Sequence, residues 1–145
     1  MKYSRIGSMK VIAAVAVVAL LTVGLAGPAQ AQSIGLRVYV PFEFRVGETV
    51  LPPGTYEVWR SGTDAISVSD RTGHSAFTLT NNSKNRSGNP EESQLVFNVY
   101  GDRYFLGEVR WSGYPTARML KKSKVELEVA KNYNAAPNTL SVATK

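Results

Sequence analysis

The strongest constraint in this sequence is a regular alternation of short β-type segments with turn signals. From Ile34 to Trp111, runs rich in Val, Ile, Thr, Tyr and Phe are separated by Gly, Pro, Asn and Asp. Segments such as Phe42–Val46 alternate apolar and charged residues, which is typical of a strand with one buried face. Closely spaced short strands favour an antiparallel arrangement. The chain is therefore predicted to be all-β, an antiparallel β-sandwich or small open barrel, with a closed up-and-down barrel as the alternative.

Turn chemistry sets the expected strand bounds. The segment Pro52–Gly54 contains two prolines, which cannot donate to a sheet, and a glycine that suits a turn before the β-formers that follow. In the segment after the turn at Asp70–Gly73, Phe77 and Leu79 are expected to point into the core. The predicted strands are Ile34–Val40, Phe42–Val46, Thr49–Leu51, Tyr56–Arg60, Ala65–Ser69, Ser75–Thr80, Gln94–Tyr100 and Arg103–Trp111.

The clearest hairpin joins Gln94–Tyr100 to Arg103–Trp111 through the loop Gly101-Asp102. A two-residue loop of this kind suits a primed turn and fixes the register, so that Val99 is expected to face Tyr104. Both faces of the hairpin are largely apolar. This predicts a central position in the fold, with a cover on each side.

One short helix is predicted from Ser123 to Lys131. Ser123 and Glu126 fit a capping box, in which the serine hydroxyl accepts from the third amide and the glutamate carboxylate reaches back to the cap. Apolar residues one turn apart give the helix a face that can cover the second side of the hairpin. Residues 32–131 are thus expected to form a single β domain that ends in a helix, and residues 132–145, which lack periodicity, a disordered tail.

The N-terminus has the three parts of a Sec-type signal peptide. Basic residues precede the uncharged apolar run Val11–Ala26, and Ala29 and Ala31 supply the small-x-small pattern that favours cleavage before Gln32. At about 1.5 Å per residue the run is shorter than the ~30 Å core of a bilayer, although a retained anchor is the alternative. Residues 1–31 are therefore predicted to be a bacterial leader that touches the membrane in transit, and the mature protein to be secreted or periplasmic.

Charge and composition narrow the classes of partner. The chain has 17 basic and 11 acidic residues, and three of the basic ones lie in the leader, so the mature part carries fourteen against eleven, a net of +3. These charges are interspersed rather than gathered in a basic stripe, which disfavours nucleic-acid binding. The sequence contains no cysteine, so the fold cannot rely on disulfides.

The residues needed for catalysis are sparse. His74 is the sole histidine and follows a turn, and Asp64 and Asp70 occupy positions where turns commonly use aspartate. Metal-ligand spacings, a sheet-borne carboxylate pair and nucleophile motifs are missing from the sequence. We therefore predict that the protein is not an enzyme, with no catalytic, cofactor-binding or metal-binding residues.

Aromatic residues give the better indication of a binding site. Several are concentrated near the second long hairpin strand, where Arg103 accompanies them, and aromatic faces beside arginine can stack on sugars. The candidate ligand contacts are Tyr100, Arg103, Trp111 and Tyr114, with the first two expected at one open end of the hairpin face and the last two at the other. The alternative is that these rings are core residues and cross-strand pairs.

Three segments, Val40–Val58, Leu95–Gly113 and Ser123–Ala130, resemble an uncharacterised group of short secreted bacterial proteins. They contain VPFEF with LPPGTY, YGDRYFL, and SKVELE, in the same order as in that group. The resemblance spans most of the mature domain. It implies secretion and brings no catalytic residues with it.

The sequence thus favours an exported, non-catalytic β-domain protein with a structural or binding role in the cell envelope or extracellular space. A cell-wall glycan or another envelope protein is the partner class that fits. One alternative is a carrier of a small apolar ligand, with its pocket between sheet and helix. A second alternative is an enzyme of unknown type.

Overall fold

A computed structural model describes residues 35–83 and 91–144. The predicted signal peptide and its cleavage positions Ala29, Ala31 and Gln32 lie outside the described residues. The elements in chain order are β1 (Gly35–Val40), β2 (Phe44–Val46), β3 (Thr49–Leu51), β4 (Gly54–Ser61), β5 (Ala65–Ser69), β6 (Ser75–Ser83), β7 (Gln94–Tyr100), β8 (Arg103–Arg110), β9 (Ala117–Leu120), α1 (Lys124–Tyr133) and β10 (Asn138–Ala143).

The strands form an open antiparallel path in the order β1-β4-β5-β6-β9-β8-β7-β10. The first half of β6 pairs with β5 and its second half, from Thr80 to Ser83, pairs with β9. This strand therefore belongs to both layers of the sandwich. The hairpin β2–β3 joins β8 through a parallel pairing of Arg45 with Phe105. The prediction of an all-β fold with an open sheet and one C-terminal helix is confirmed.

The core lies between the two layers. Leu36, Val38 and Val40 of β1 point inward as their spacing predicts, and Tyr56 and Val58 of β4 do the same. Phe44 packs edge-on against Tyr56 of β4 and against Phe97 of β7, with ring centroids 5.1 and 5.5 Å apart. These aromatic contacts connect residues that are far apart in the chain, so burial between layers holds this cysteine-free fold together.

The predicted inward face of β6 is wrong. Phe77 and Leu79 are 65% and 68% exposed, whereas Ala76 and Thr80 are buried. The cause is the register, which places Ala76 directly opposite the inward-facing Val68 of β5. Opposed residues share a face of the sheet, so the two large apolar side chains must point outward.

The long hairpin has the predicted register, with Val99 opposite Tyr104. Gly101 adopts a φ of 64° in the two-residue loop, as a primed turn requires. The ladder shifts between Val96 and Phe97, where Gly107 of β8 is the extra residue of a β-bulge.

Helix α1 begins as predicted and ends two residues later. The Ser123 hydroxyl accepts the Glu126 amide at 3.1 Å, and Asn134 ends the helix with a φ of 51°. The second half of the predicted capping box is wrong, because the Glu126 carboxylate points into the fold and accepts from Asn98 and Tyr100 of β7. The helix therefore packs on the second side of the hairpin.

The prediction of a disordered tail over residues 132–145 is also wrong. Residues 132 and 133 complete α1, and β10 pairs with β7 along its whole length, from Asn138 opposite Val99 to Ala143 opposite Gln94. The alternation of Leu140 and Val142 is too short to predict a strand by itself. It becomes one because β7 offers a free edge beside it.

Within residues 35–83 and 91–144, no helix combines the length and the apolar character needed to cross a bilayer.

Candidate functional site

The four residues predicted to contact a ligand lie at two ends of the long hairpin. Tyr100 and Arg103 face each other beside the turn, and Trp111 and Tyr114 follow the opposite end of β8. Tyr100 and Trp111 are only 2% and 3% exposed, so neither forms an open surface. Arg103 and Tyr114 are accessible, but the structure does not bring them together.

Tyr100 is part of a hydrogen-bonded network that attaches the helix to the sheet. Its hydroxyl donates to Glu126 Oε1 at 3.3 Å and accepts from Lys122 Nζ at 3.1 Å. Asn98 Nδ2 donates to the same Glu126 oxygen at 2.8 Å. The bond to Tyr100 raises the pKa of Lys122, since it favours the charged amine more than partial burial disfavours it. Tyr100 is therefore buried because this network docks α1 against it.

A depression of about 400 Å³ lies between α1 and the β7–β8 turn, where the apolar carrier hypothesis expects a pocket. Val125 and Val129 line it, but so do Asp102, Arg103 and Glu128. An apolar cargo would leave these charged groups poorly solvated. This place therefore suits an apolar ligand less well than the sequence suggests.

Two arginines, Arg60 and Arg118, lie at the Trp111–Tyr114 end of the hairpin, and the sequence pattern did not indicate that they are close to it. The Arg60 guanidinium lies over the Tyr114 ring, 5.5 Å from its centroid. Arg118 is buried, with Nη1 3.7 Å from Asp64 Oδ1. Burial lowers the pKa of Arg118, and the nearby charge of Arg60 lowers it further. Tyr114 thus stacks on a cation of its own chain.

Asp70, Thr72 and His74 form a polar cluster that the sequence did not reveal as a unit. Asp70 Oδ2 lies 2.8 Å from His74 Nδ1 and accepts the Thr72 hydroxyl at 2.6 Å, while Asp70 Oδ1 accepts both backbone amides. These bonds, led by that of the Thr72 hydroxyl, hold the pKa of Asp70 well below its usual range. The Thr72 hydroxyl lies 2.9 Å from His74 Nδ1, the same ring nitrogen that faces Asp70, so the three groups are not arranged as a triad that uses both ring nitrogens. The cluster closes the turn between β5 and β6.

A larger groove runs between the two ends of the strand path. We call it the edge groove: it has a volume of about 780 Å³ and lies between β1 and β10. Val38, Phe42 and Val142 form its apolar floor, and all three pack on the core. Arg37, Tyr39 and Ser141 are exposed at its rim. Its volume is within the range of ligand sites, and its lining is predominantly apolar.

Each of the two strands that flank the edge groove has one edge that is unpaired within the part of the chain that the structure describes. Among the described residues, β1 is hydrogen-bonded to β4 alone, and β10 to β7 alone. Sequence reasoning missed this site because one of its walls is the C-terminal strand. The alternation of Leu140 and Val142 after Pro137 is the signal that could have indicated it.

A second exposed feature is the outer face of the layer β1-β4-β5-β6. We call it the outer face: Trp59, Phe77 and Leu79 lie on it, with Ser67 between the two aromatic residues in the register. The Trp59 ring lies against Gly35 of β1, where a Cβ atom would overlap ring carbons. The ring is therefore held flat on the sheet, with its other side accessible.

Across residues 35–83 and 91–144, no group of three or more His, Cys, Asp or Glu side chains is arranged to hold a metal ion. The comparisons with known proteins supply no precedent for either surface: no family model matches the chain, and no curated protein or solved structure is significantly similar to it.

Proposed function

We propose that this chain is an exported, non-catalytic binding protein of the cell envelope or extracellular space, and that the edge groove is its binding site. The observation that carries the proposal is an apolar groove of about 780 Å³ flanked by two strands that, within residues 35–83 and 91–144, each pair along one edge only. Export is supported by the leader-like N-terminus and by the resemblance to short secreted proteins. The Asp70–Thr72–His74 cluster is accounted for by the turn that it closes, so the proposal assigns it no chemistry.

Binding of an uncharged apolar dye tests whether the groove is a site. The full chain, expressed with its leader and purified from periplasm or medium, is titrated with Nile red. We expect saturable emission, and an affinity at least about tenfold lower in Ser141→Lys, because that side chain lines the groove and is exposed. Thr63→Lys, the same charge added at an exposed turn, is the matched control. Equal affinity in both variants would contradict the proposal.

The outer face supports a second candidate function, glycan binding. A tryptophan ring held flat on a sheet with a phenylalanine on the same surface resembles the stacking platforms on which sugar rings bind. An exposed apolar group of this kind calls for a partner.

Cosedimentation with insoluble cell-wall polysaccharide tests the second candidate. Trp59→Ala and Phe77→Ala are expected to reduce the bound fraction, because each removes an exposed ring from the platform. Leu127→Ala, which removes an exposed apolar side chain from α1, serves as the control. A bound fraction that is the same in all variants would argue against a glycan site on this face.

A further inference from the structure

We infer that the edge groove takes an extended polypeptide segment, which pairs with the free edge of β10 as an additional strand. The inference rests on the proposed function and deepens it by naming the class of partner. It is carried by the backbone groups at the groove, by the composition of the edge strands and by the apolar floor.

The edges of β10 and β1 at the groove carry backbone groups that no described strand pairs with. In an antiparallel pair, alternate residues direct their N–H and C=O groups to the neighbouring strand, and the residues between them direct theirs away. Because β10 pairs with β7 alone among the described residues, alternate residues of Asn138–Ala143 present these groups to the groove. β1 does the same from the opposite wall. Such a row of donors and acceptors is a template for another strand.

These edges also have few of the features that usually prevent strand addition. Edge strands are commonly blocked by charged side chains, prolines or bulges. The β10 sequence NTLSVA contains no charge and no proline, and it has no register shift against β7. β1 contains a single charged residue, Arg37. A solvent-facing edge of this composition would favour aggregation unless it had a partner.

The side chains of an added strand would meet the apolar floor of the groove. A strand added along β10 would direct every second side chain toward the floor formed by Val38, Phe42 and Val142, and the others to solvent. The partner segment is therefore apolar at alternate positions. Backbone bonds supply affinity in this binding mode, and the alternate side chains supply specificity. A sugar or a free acyl chain would leave the edge donors of β10 without an ordered partner.

The probe is a short synthetic peptide of alternating valine and threonine with a lysine at each end, added to the purified exported chain. We expect saturable binding with NMR shift changes concentrated in Asn138–Ala143 and Gly35–Val40. Two further peptides carry N-methyl groups on either the valine or the threonine amides. One of them is expected to bind at least about tenfold more weakly, because it lacks the donors that face β10. Ser141→Lys is expected to weaken binding to a similar extent, whereas Thr63→Lys is not.

The outcomes separate this inference from the proposed function. Equal affinity for all three peptides would overturn strand addition. Binding of palmitate or Nile red without binding of any peptide would overturn it as well. Both results would still leave the groove as a binding site. If the chain forms a dimer and Ser141→Lys dissociates it, the occupant of the groove is a second copy of the chain. That result would overturn the inference. If neither the dye nor any peptide binds, that result contradicts both this inference and the proposed function.

Discussion

Glu126 shows how one residue connects local helix chemistry to tertiary structure. Its backbone amide completes the helix cap through Ser123, while its buried carboxylate accepts hydrogen bonds from Asn98 and Tyr100 on β7. Gly107 makes this possible, because the bulge residue of β8 leaves room for the Asn98 amide. The geometry of the network thus depends on a glycine that is far from the helix in the chain.

The substitution Gly107→Ala tests this dependence. The new Cβ would lie 2.9 Å from Asn98 Nδ2, so the amide must move away from Glu126 and leave a buried carboxylate short of a donor. We expect a loss of about 1–3 kcal/mol in the free energy of unfolding, measured by urea denaturation. Gly54→Ala is the control, because its Cβ would meet Tyr56 at an ordinary 3.6 Å. A similar small change in both variants would contradict the role given to Gly107.

Asp70 allows a prediction about pH. Its carboxylate accepts hydrogen bonds from the Thr72 hydroxyl and from two backbone amides, and its pKa is lowered in the folded state. A lowered pKa stabilises the fold above the unfolded-state value of about 3.9, and this contribution is lost as the pH falls toward the folded-state pKa. In Asp70→Asn we expect lower stability at neutral pH and a shallower decline below pH ~4 than in the wild type.

Denaturation series at several pH values measure this difference. Asp102→Asn, in the exposed β7–β8 turn, is the matched control and is expected to keep the acid dependence of the wild type. If Asp70→Asn and the wild type lose stability in parallel below pH ~4, the Asp70 hydrogen bonds do not contribute as inferred.

At the scale of elements, the predictions from sequence are correct where interactions within a few residues determine the structure. The Gly101-Asp102 loop fixed its hairpin, and the Ser123 hydroxyl fixed the start of α1. The predictions from sequence are wrong where pairing with a neighbouring strand determines which side chains are buried. The face of β6 follows from its register with β5, so Phe77 is outside in spite of its hydrophobicity. For the same reason the aromatic cluster around Trp111 was a poor guide to a site, since burial by other elements determines which rings are accessible.

The C-terminal strand is the element whose removal is most informative. Ending the chain after Ala136 would remove β10 and leave the second edge of β7 without a neighbour. We expect a loss on the order of 3 kcal/mol in the free energy of unfolding, since a six-residue ladder and the buried part of Val142 are lost. Hydrogen exchange of the β7 amides should accelerate as well. Removal of Lys145 alone is the control, and an equal effect of both truncations would contradict the pairing.

At the scale of the whole molecule, the edge groove could not be predicted because its walls come from the first and last strands of the path. No local pattern shows that Val38 and Val142 share a cavity. The leader, in contrast, is a purely local sequence signal. It stays a prediction, and one measurement tests it. N-terminal sequencing of protein from the periplasm or medium should begin at Gln32, whereas intact Met1 in washed membranes would indicate a retained anchor.

The position of β6 in both layers has a mechanical consequence. β1 and β10 end the strand path on either side of the groove, and β6 lies near the middle of that path. We expect any widening of the groove to turn one layer against the other about β6, since β6 is the strand that pairs with both layers. Thr80 lies where β6 passes from its pairing with β5 to its pairing with β9, and its amide donates to the Asp64 carbonyl at 2.8 Å. A segment bound along β10 is therefore expected to change the NMR shift of the Thr80 amide, on the opposite side of the strand path.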